Sequence, residues 1–308
     1  MNLDHFGMDT ITLAGPLEAK LAAIRAAGFT QVMLNANDLA GHPGGPAAAT
    51  EAVRRSGLRV TGFQVLRDFE GLSGHLHAYK VDIAKAMLEM CQALNSRVLL
   101  ACSSTSGHAT ENKEALVKDL QKLAMLAVPL DIRIAYEALS WGRHVNLYPQ
   151  AWELVQAADR ANLGLAIDSY HILAHKTPLD TLREIDARKV VLVQLSDFMW
   201  QEVRSREDRI ETARHFRVFP GEGVHSPEVM ELVRALDDLG YRGDYSFEVF
   251  NDDYKQLPPA IVAERAHRSV RWMTAQVPRR SLPARRAPTP AGSPPPSRGA
   301  ARARGQRG

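Results

Sequence analysis

Four polar residues of this chain stand at or near the ends of apolar, β-branched runs. Glu137 closes "IRIAYEA", Asp168 closes "LGLAIDS", Gln194 comes late in "KVVLVQLS", and Glu248 follows the apolar start of "YSFEVF". An unpaired charge buried at such a place costs several kcal/mol or shifts its pKa, so a positive partner is expected between them. Glu, Asp, Gln and Glu offer oxygen donors alone. That favours a hard divalent ion, Mg²⁺ or Mn²⁺ with Co²⁺ as a further option, over zinc, whose sites lean on Cys and His. The competing reading is that these acids form salt bridges with basic residues at the same place. His171 lies three residues after Asp168, in the loop expected to follow that strand, and an imidazole suits proton transfer at neutral pH. A hydrogen-bonded structural histidine is its alternative.

Further groups belong to the same inspection. Arg67 in "FQVLRDFEG" and Arg217 in "HFRVFPGEG" fall in expected loops, where a guanidinium suits a carboxylate or phosphate, or anchors the loop by a salt bridge. Ser103 and Ser104 in "ACSSTSG" are candidate hydroxyl donors to a substrate, or caps for the next helix. "FPGEG" has glycines spaced for a tight turn near a ligand, without the lysine of a phosphate-binding loop. A metal beside a base fits chemistry next to a carbonyl; isomerisation, epimerisation and dehydration share that step. His75, His77, His144 and His175 are read as loop or surface residues, and Cys91 and Cys102 as small buried ones.

The elements that must hold these groups follow from alternation. Eight runs read as strands: "DTITLA", "QVMLNA", "RVTGFQVL", "RVLLACS", "IRIAYEA", "LGLAIDS", "KVVLVQLS" and "YSFEVF". Amphipathic helical stretches separate them, such as "PLEAKLAAIRAAG" and "PQAWELVQAADRANLG", each with Pro near the start and Gly just past the end. Eight βα units predict an α/β fold, a (β/α)₈ TIM barrel over residues 1–276, whose site lies where the strands end. A doubly wound open sheet is the alternative, but no GxGxxG follows the first strand.

Composition, 45% hydrophobic and 24% charged, suits a globular protein. The last 32 residues carry eight arginines and no acid, so removing them takes the net charge from +3 to −5. A nucleic-acid-binding fold is therefore not expected, and the Pro- and Arg-rich segment 277–308 is expected to be disordered. No apolar stretch reaches the roughly 20 residues of a membrane span and the start lacks a signal-peptide pattern, so the cytoplasm is the expected location. A homo-oligomer is compatible with this composition.

The ordered set "AYEALSWGRHVN", "LAIDSYHIL", "VLVQLSDF", "RVFPGEG" and "YSFEVFND" resembles the sugar phosphate isomerase/epimerase superfamily of xylose isomerase-like TIM barrels. With "QVLRDFEG" and Gln at the third ligand position, it is most similar to the bacterial branch acting on 3-dehydroshikimate. The resemblance implies metal ligation by Glu137, Asp168, Gln194 and Glu248, His171 as acid/base residue, and Arg67 and Arg217 at the substrate carboxylate. It implies conversion of 3-dehydroshikimate to protocatechuate in quinate and shikimate breakdown. A keto-sugar isomerase or epimerase, or an inosose-type dehydratase, is the alternative on the same rim. Relatives of that branch often continue into a dioxygenase-like second domain, whereas here the arginine-rich segment begins; a single-domain form and a truncated or frame-shifted reading both account for this.

Overall fold

The computed structural model describes residues 2–276; the expected tail, 277–308, lies outside the described residues. The strands are β1 (Phe6–Asp9), β2 (Gln31–Asn35), β3 (Arg59–Arg67), β4 (Val98–Cys102), β5 (Arg133–Glu137), β6 (Leu163–Asp168), β7 (Val190–Leu195), β8 (Asp197–Phe198), β9 (Arg217–Val218) and β10 (Tyr245–Phe247). Eight of them close a barrel in the order β1-β10-β7-β6-β5-β4-β3-β2, every pairing parallel, while β8 and β9 form a separate antiparallel ribbon. Around and between them run α1 (Leu17–Ala26), α2 (Ala36–Ala40), α3 (Gly45–Ser56), α4 (Gly74–Ala93), α5 (Lys113–Ala127), α6 (Tyr148–Ala158), α7 (Ser169–His175), α8 (Arg206–His215), α9 (Ser226–Leu239) and α10 (Pro259–Gln276).

Strands of a parallel barrel are covered on both faces, which is why they read as near-continuous apolar runs. The period of two separates the faces. Ile134, Tyr136, Ile167 and Val193 belong to the core shared with the helices. Met33, Leu100, Ala135, Ala166 and Leu192 belong to a second apolar cluster. From Leu100, Ala135, Ala166 and Leu192 the next residue on the same face is Cys102, Glu137, Asp168 or Gln194, at or next to the C-terminal end of its strand. The polar rim therefore stands on an apolar floor, which is the physical cause of its desolvation.

Several local expectations are corrected. The first strand is Phe6–Asp9 rather than "DTITLA": the Asp9 carboxylate accepts from Ile11 N at 3.0 Å and turns Thr10–Thr12 into a 3₁₀ helix despite their β-branched side chains. Helix α6 stops at Asp159, in the left-handed region with φ 45°, and not at Gly164. Gly164 lies inside β6 instead, where a Cβ would come within 2.2 Å of Lys189 O, so its role is close approach of neighbouring backbone. The residues after Asp168 do not form a loop. Asp168 Oδ1 accepts from Tyr170 N at 2.8 Å and caps α7, which carries His171 and His175. His75 and His77 lie in α4 rather than in a loop, with His75 on the surface as expected.

The β8–β9 ribbon went unread because two-residue strands carry no period. It positions Arg217: Phe198 pairs with Arg217, and Arg217 N donates to Phe250 O at 2.9 Å. Buried Asp197 ties the ribbon to the start of α9, accepting from His225 N and Ser226 Oγ. A Cβ on Gly223 would lie 2.3 Å from the Asp197 carboxylate, so the "FPGEG" turn packs against that side chain.

Candidate functional site

Barrel stagger brings the rim residues together from successive strands. Cys102 is level with Glu137, and Asp168 with Gln194, in the parallel ladders. Glu248 follows β10 two residues beyond Ser246, which is level with Gln194. All five are buried. Glu137, Asp168 and His171 each bring one ligating atom to within 4.8 Å of the others, a group able to hold a metal ion. Glu137 Oε1 and Gln194 Oε1 are buried and accept no hydrogen bond. Leaving such oxygens unpaired costs about 1–3 kcal/mol each, more for a charged group, and a cation is a partner suited to oxygens of this kind.

The electrostatics agree. Burial first, then Asp168 and Glu248, holds the Glu137 carboxyl well above the usual carboxylate range. Burial also raises Glu248, opposed by Arg217. Arg217 is itself buried between two acids, Nη1 lying 2.8 Å from Asp168 Oδ2 and 3.0 Å from Glu248 Oε2, with the guanidinium 4.5 Å above the Tyr170 ring. Burial works against that charge, and Asp168 and Glu248 outweigh it. Three carboxyl groups against one guanidinium leave a formal balance that one dication would bring to neutrality. The salt-bridge reading of the rim thus holds for Asp168 and Glu248, and Glu137 and Gln194 are left with unpartnered oxygens.

His171 is buried, and burial above all pushes its pKa down to about 3, against the pull of Asp168, so the ring is neutral at pH 7. Its Nε2 faces Asp168 Oδ2 at 3.5 Å and Glu137 Oε1 at 4.0 Å. Its Nδ1 accepts from Ser140 N at 3.1 Å and lies 3.1 Å from Ser140 Oγ. The Ser140 N–H occupies the Nδ1 lone pair, so the proton of the neutral ring sits on Nε2, the nitrogen that faces Asp168 and Glu137. Trp141 and Tyr170 meet the ring edge-on at 5.1 and 5.3 Å and fix its plane.

The remaining candidates are distributed unevenly. Arg67 ends β3 with its side chain exposed, while Lys80 Nζ donates to its carbonyl at 2.8 Å. Ser103 Oγ accepts from Leu139 N at 3.0 Å, and Ser104 Oγ reaches Asp68 Oδ1 at 3.5 Å; the cap of α5 is Asn112, not a serine. Both serine hydroxyls therefore brace loops in this arrangement. Among the histidines set aside, His175 Nε2 pairs with Ser140 O at 2.8 Å and His144 Nε2 with Ala109 O at 2.9 Å. Three contributors were missed: Ser140, Glu70, and Cys102, whose thiol donates to Glu137 Oε2 at 2.9 Å. Glu70 is buried, accepts from Ser104 N at 2.5 Å and Tyr136 OH at 2.9 Å, and is pushed by burial up to about 7. An acid followed closely by glycine in "RDFEG" was the available signal for Glu70; nothing local marked the other two.

Among the described residues no helix is long and apolar enough to cross a membrane. The chain is 36% identical over 267 residues to a 3-dehydroshikimate dehydratase of Pseudomonas putida, covering 87% of this chain and 41% of that protein. It is 36% identical over 264 residues to a 3-dehydroshikimate dehydratase of Pseudomonas aeruginosa, covering 86% and 41%. This chain thus spans about two fifths of the length of these curated relatives. A solved xylose isomerase-like TIM barrel/4-hydroxyphenylpyruvate dioxygenase fusion protein superposes with a TM-score of 0.83 at 36% identity, over 89% of this chain and 43% of that one. Residues 21–276 match the family model of the xylose isomerase-like TIM barrel, and the chain belongs to that family.

Proposed function

We propose that this chain catalyses the metal-dependent dehydration of 3-dehydroshikimate to protocatechuate and water, as a cytoplasmic enzyme whose catalytic unit is residues 1–276. The observation that carries the reading is the unpartnered, buried Glu137 Oε1 beside Asp168 and His171 at the strand ends, and the similarity to two dehydratases of that substrate supports its identity. In this reading Glu137, Asp168, Gln194 and Glu248 hold Mg²⁺ or Mn²⁺, with Co²⁺ a further option. A divalent ion there would supply Lewis-acid polarisation of the substrate ketone.

The chain's own residues do the rest. His171, neutral through burial, is the acid/base residue and moves its proton at Nε2, the nitrogen that faces Asp168 and Glu137, while Ser140 N holds Nδ1. Expulsion of the β-hydroxyl and a second proton loss make the ring aromatic. Arg67, exposed at the rim, is the guanidinium available to a substrate carboxylate, and Arg217 joins it when the acids it holds are otherwise engaged. Ser103 and Ser104 shape the same wall through the loops they brace. Trp141 and Tyr170 exclude water around His171.

The test is turnover of 3-dehydroshikimate by metal-stripped protein before and after adding Mg²⁺ or Mn²⁺, followed by the aromatic absorption of protocatechuate. Metal-dependent product, lost in Asp168→Ala, is expected. No product with any divalent ion would overturn the reading and direct the assay to keto-sugars and inososes.

A further inference from the structure

We propose that Cys102 is a positioning residue for the candidate metal centre: its thiol holds one oxygen of Glu137 so that the other stays turned toward the ion. The inference rests on the metal reading above. Cys102 ends β4 and is level with Glu137 at the end of β5, so the two side chains leave adjacent strands on the same face. Ser103 N donates to Glu137 O at 2.8 Å and carries the ladder one step past them, so the pair is braced on both backbones.

The two oxygens of Glu137 have different surroundings. Oε2 accepts from Cys102 Sγ at 2.9 Å. Oε1 has no hydrogen-bond partner and lies 4.0 Å from His171 Nε2. A carboxylate pinned at one oxygen cannot rotate about its terminal bond without breaking that contact, so it presents a single, fixed ligand atom. The thiol is buried and has no open face for an attacking role. Groups that orient metal ligands from outside typically change metal affinity 10- to 100-fold when removed.

The bond itself is read without metal. A thiol donating to a carboxylate absorbs at lower frequency and more strongly in the S–H stretching region than a free one. Infrared spectra of metal-stripped protein, with Cys91→Ala to remove the other thiol, should show the shifted band, and Glu137→Ala, which leaves no acceptor, should move it back. Mn²⁺ affinity measured by calorimetry should fall about 10- to 100-fold in Cys102→Ala and be largely retained in Cys102→Ser, which keeps a donor. Circular dichroism verifies that both variants fold. An unshifted thiol band, or Cys102→Ala binding Mn²⁺ as tightly as the parent, overturns the proposal. A parent protein that binds no Mn²⁺ sinks the metal reading instead, and the band then decides the Cys102–Glu137 bond alone.

Discussion

Replacing Glu70 by glutamine isolates the energetics of one buried carboxyl beneath the loop that carries Ser103 and Ser104. Glutamine keeps an oxygen to accept from Ser104 N and Tyr136 OH but cannot ionise. The folded-state pKa, about 7 against an ordinary 4.5, is raised first by burial. Between these values the unfolded chain has lost the proton and the folded one has kept it. Stability therefore falls as pH rises from the unfolded pKa to the folded one, and above the folded value the loss is constant. The separation corresponds to about 3 kcal/mol in all. Urea unfolding of wild type and Glu70→Gln at pH 5, 6, 7 and 8 reads it as a double difference, in which other titrating groups cancel. The variant should gain about 2–3 kcal/mol on wild type between pH 5 and pH 8. Parallel stability curves would refute the reasoning, because they would mean that Glu70 is solvated enough to ionise at its ordinary pKa.

Arg217→Ala leaves Asp168 and Glu248 buried without their shared cation, and should destabilise the metal-free protein by about 3–5 kcal/mol in urea unfolding. Unchanged stability would show that the two acids do not depend on it. Gly142→Ala puts a Cβ 2.0 Å from Val145 O and 2.7 Å from Ser103 Oγ, so the loop that carries Ser140 to His171 must move. Because a displacement of about 1 Å can cost roughly 100-fold in rate, kcat should fall at least about tenfold in the turnover assay while circular dichroism stays native; an unchanged kcat would free His171 from that loop.

Fold and rim were legible in the sequence for a common reason. A strand buried on both faces needs an apolar residue at nearly every position, so Glu137 and Asp168 at the ends of such runs could only lie at the barrel mouth. Where hydrogen bonding by short polar side chains competes with the strand pattern, the reading slipped, as at Asp9 with Thr10–Thr12 and at Asp168 with α7. The proximity of His171 to Asp168 was legible because the two are three residues apart on the chain.

What surrounds these groups has no such local mark. Arg217 reaches Asp168 across 49 residues, Cys102 reaches Glu137 across 35, Ser140 reaches His171 across 31 and Glu70 reaches Ser104 across 34. Each contact follows from barrel closure, register and the β8–β9 ribbon, which act through space and leave no periodicity behind. The chain by itself determined which residue types stand at the ends of the strands. The tertiary structure alone decided which oxygens are paired there and which are left without a partner, because that depends on groups brought together by folding and on the water they exclude.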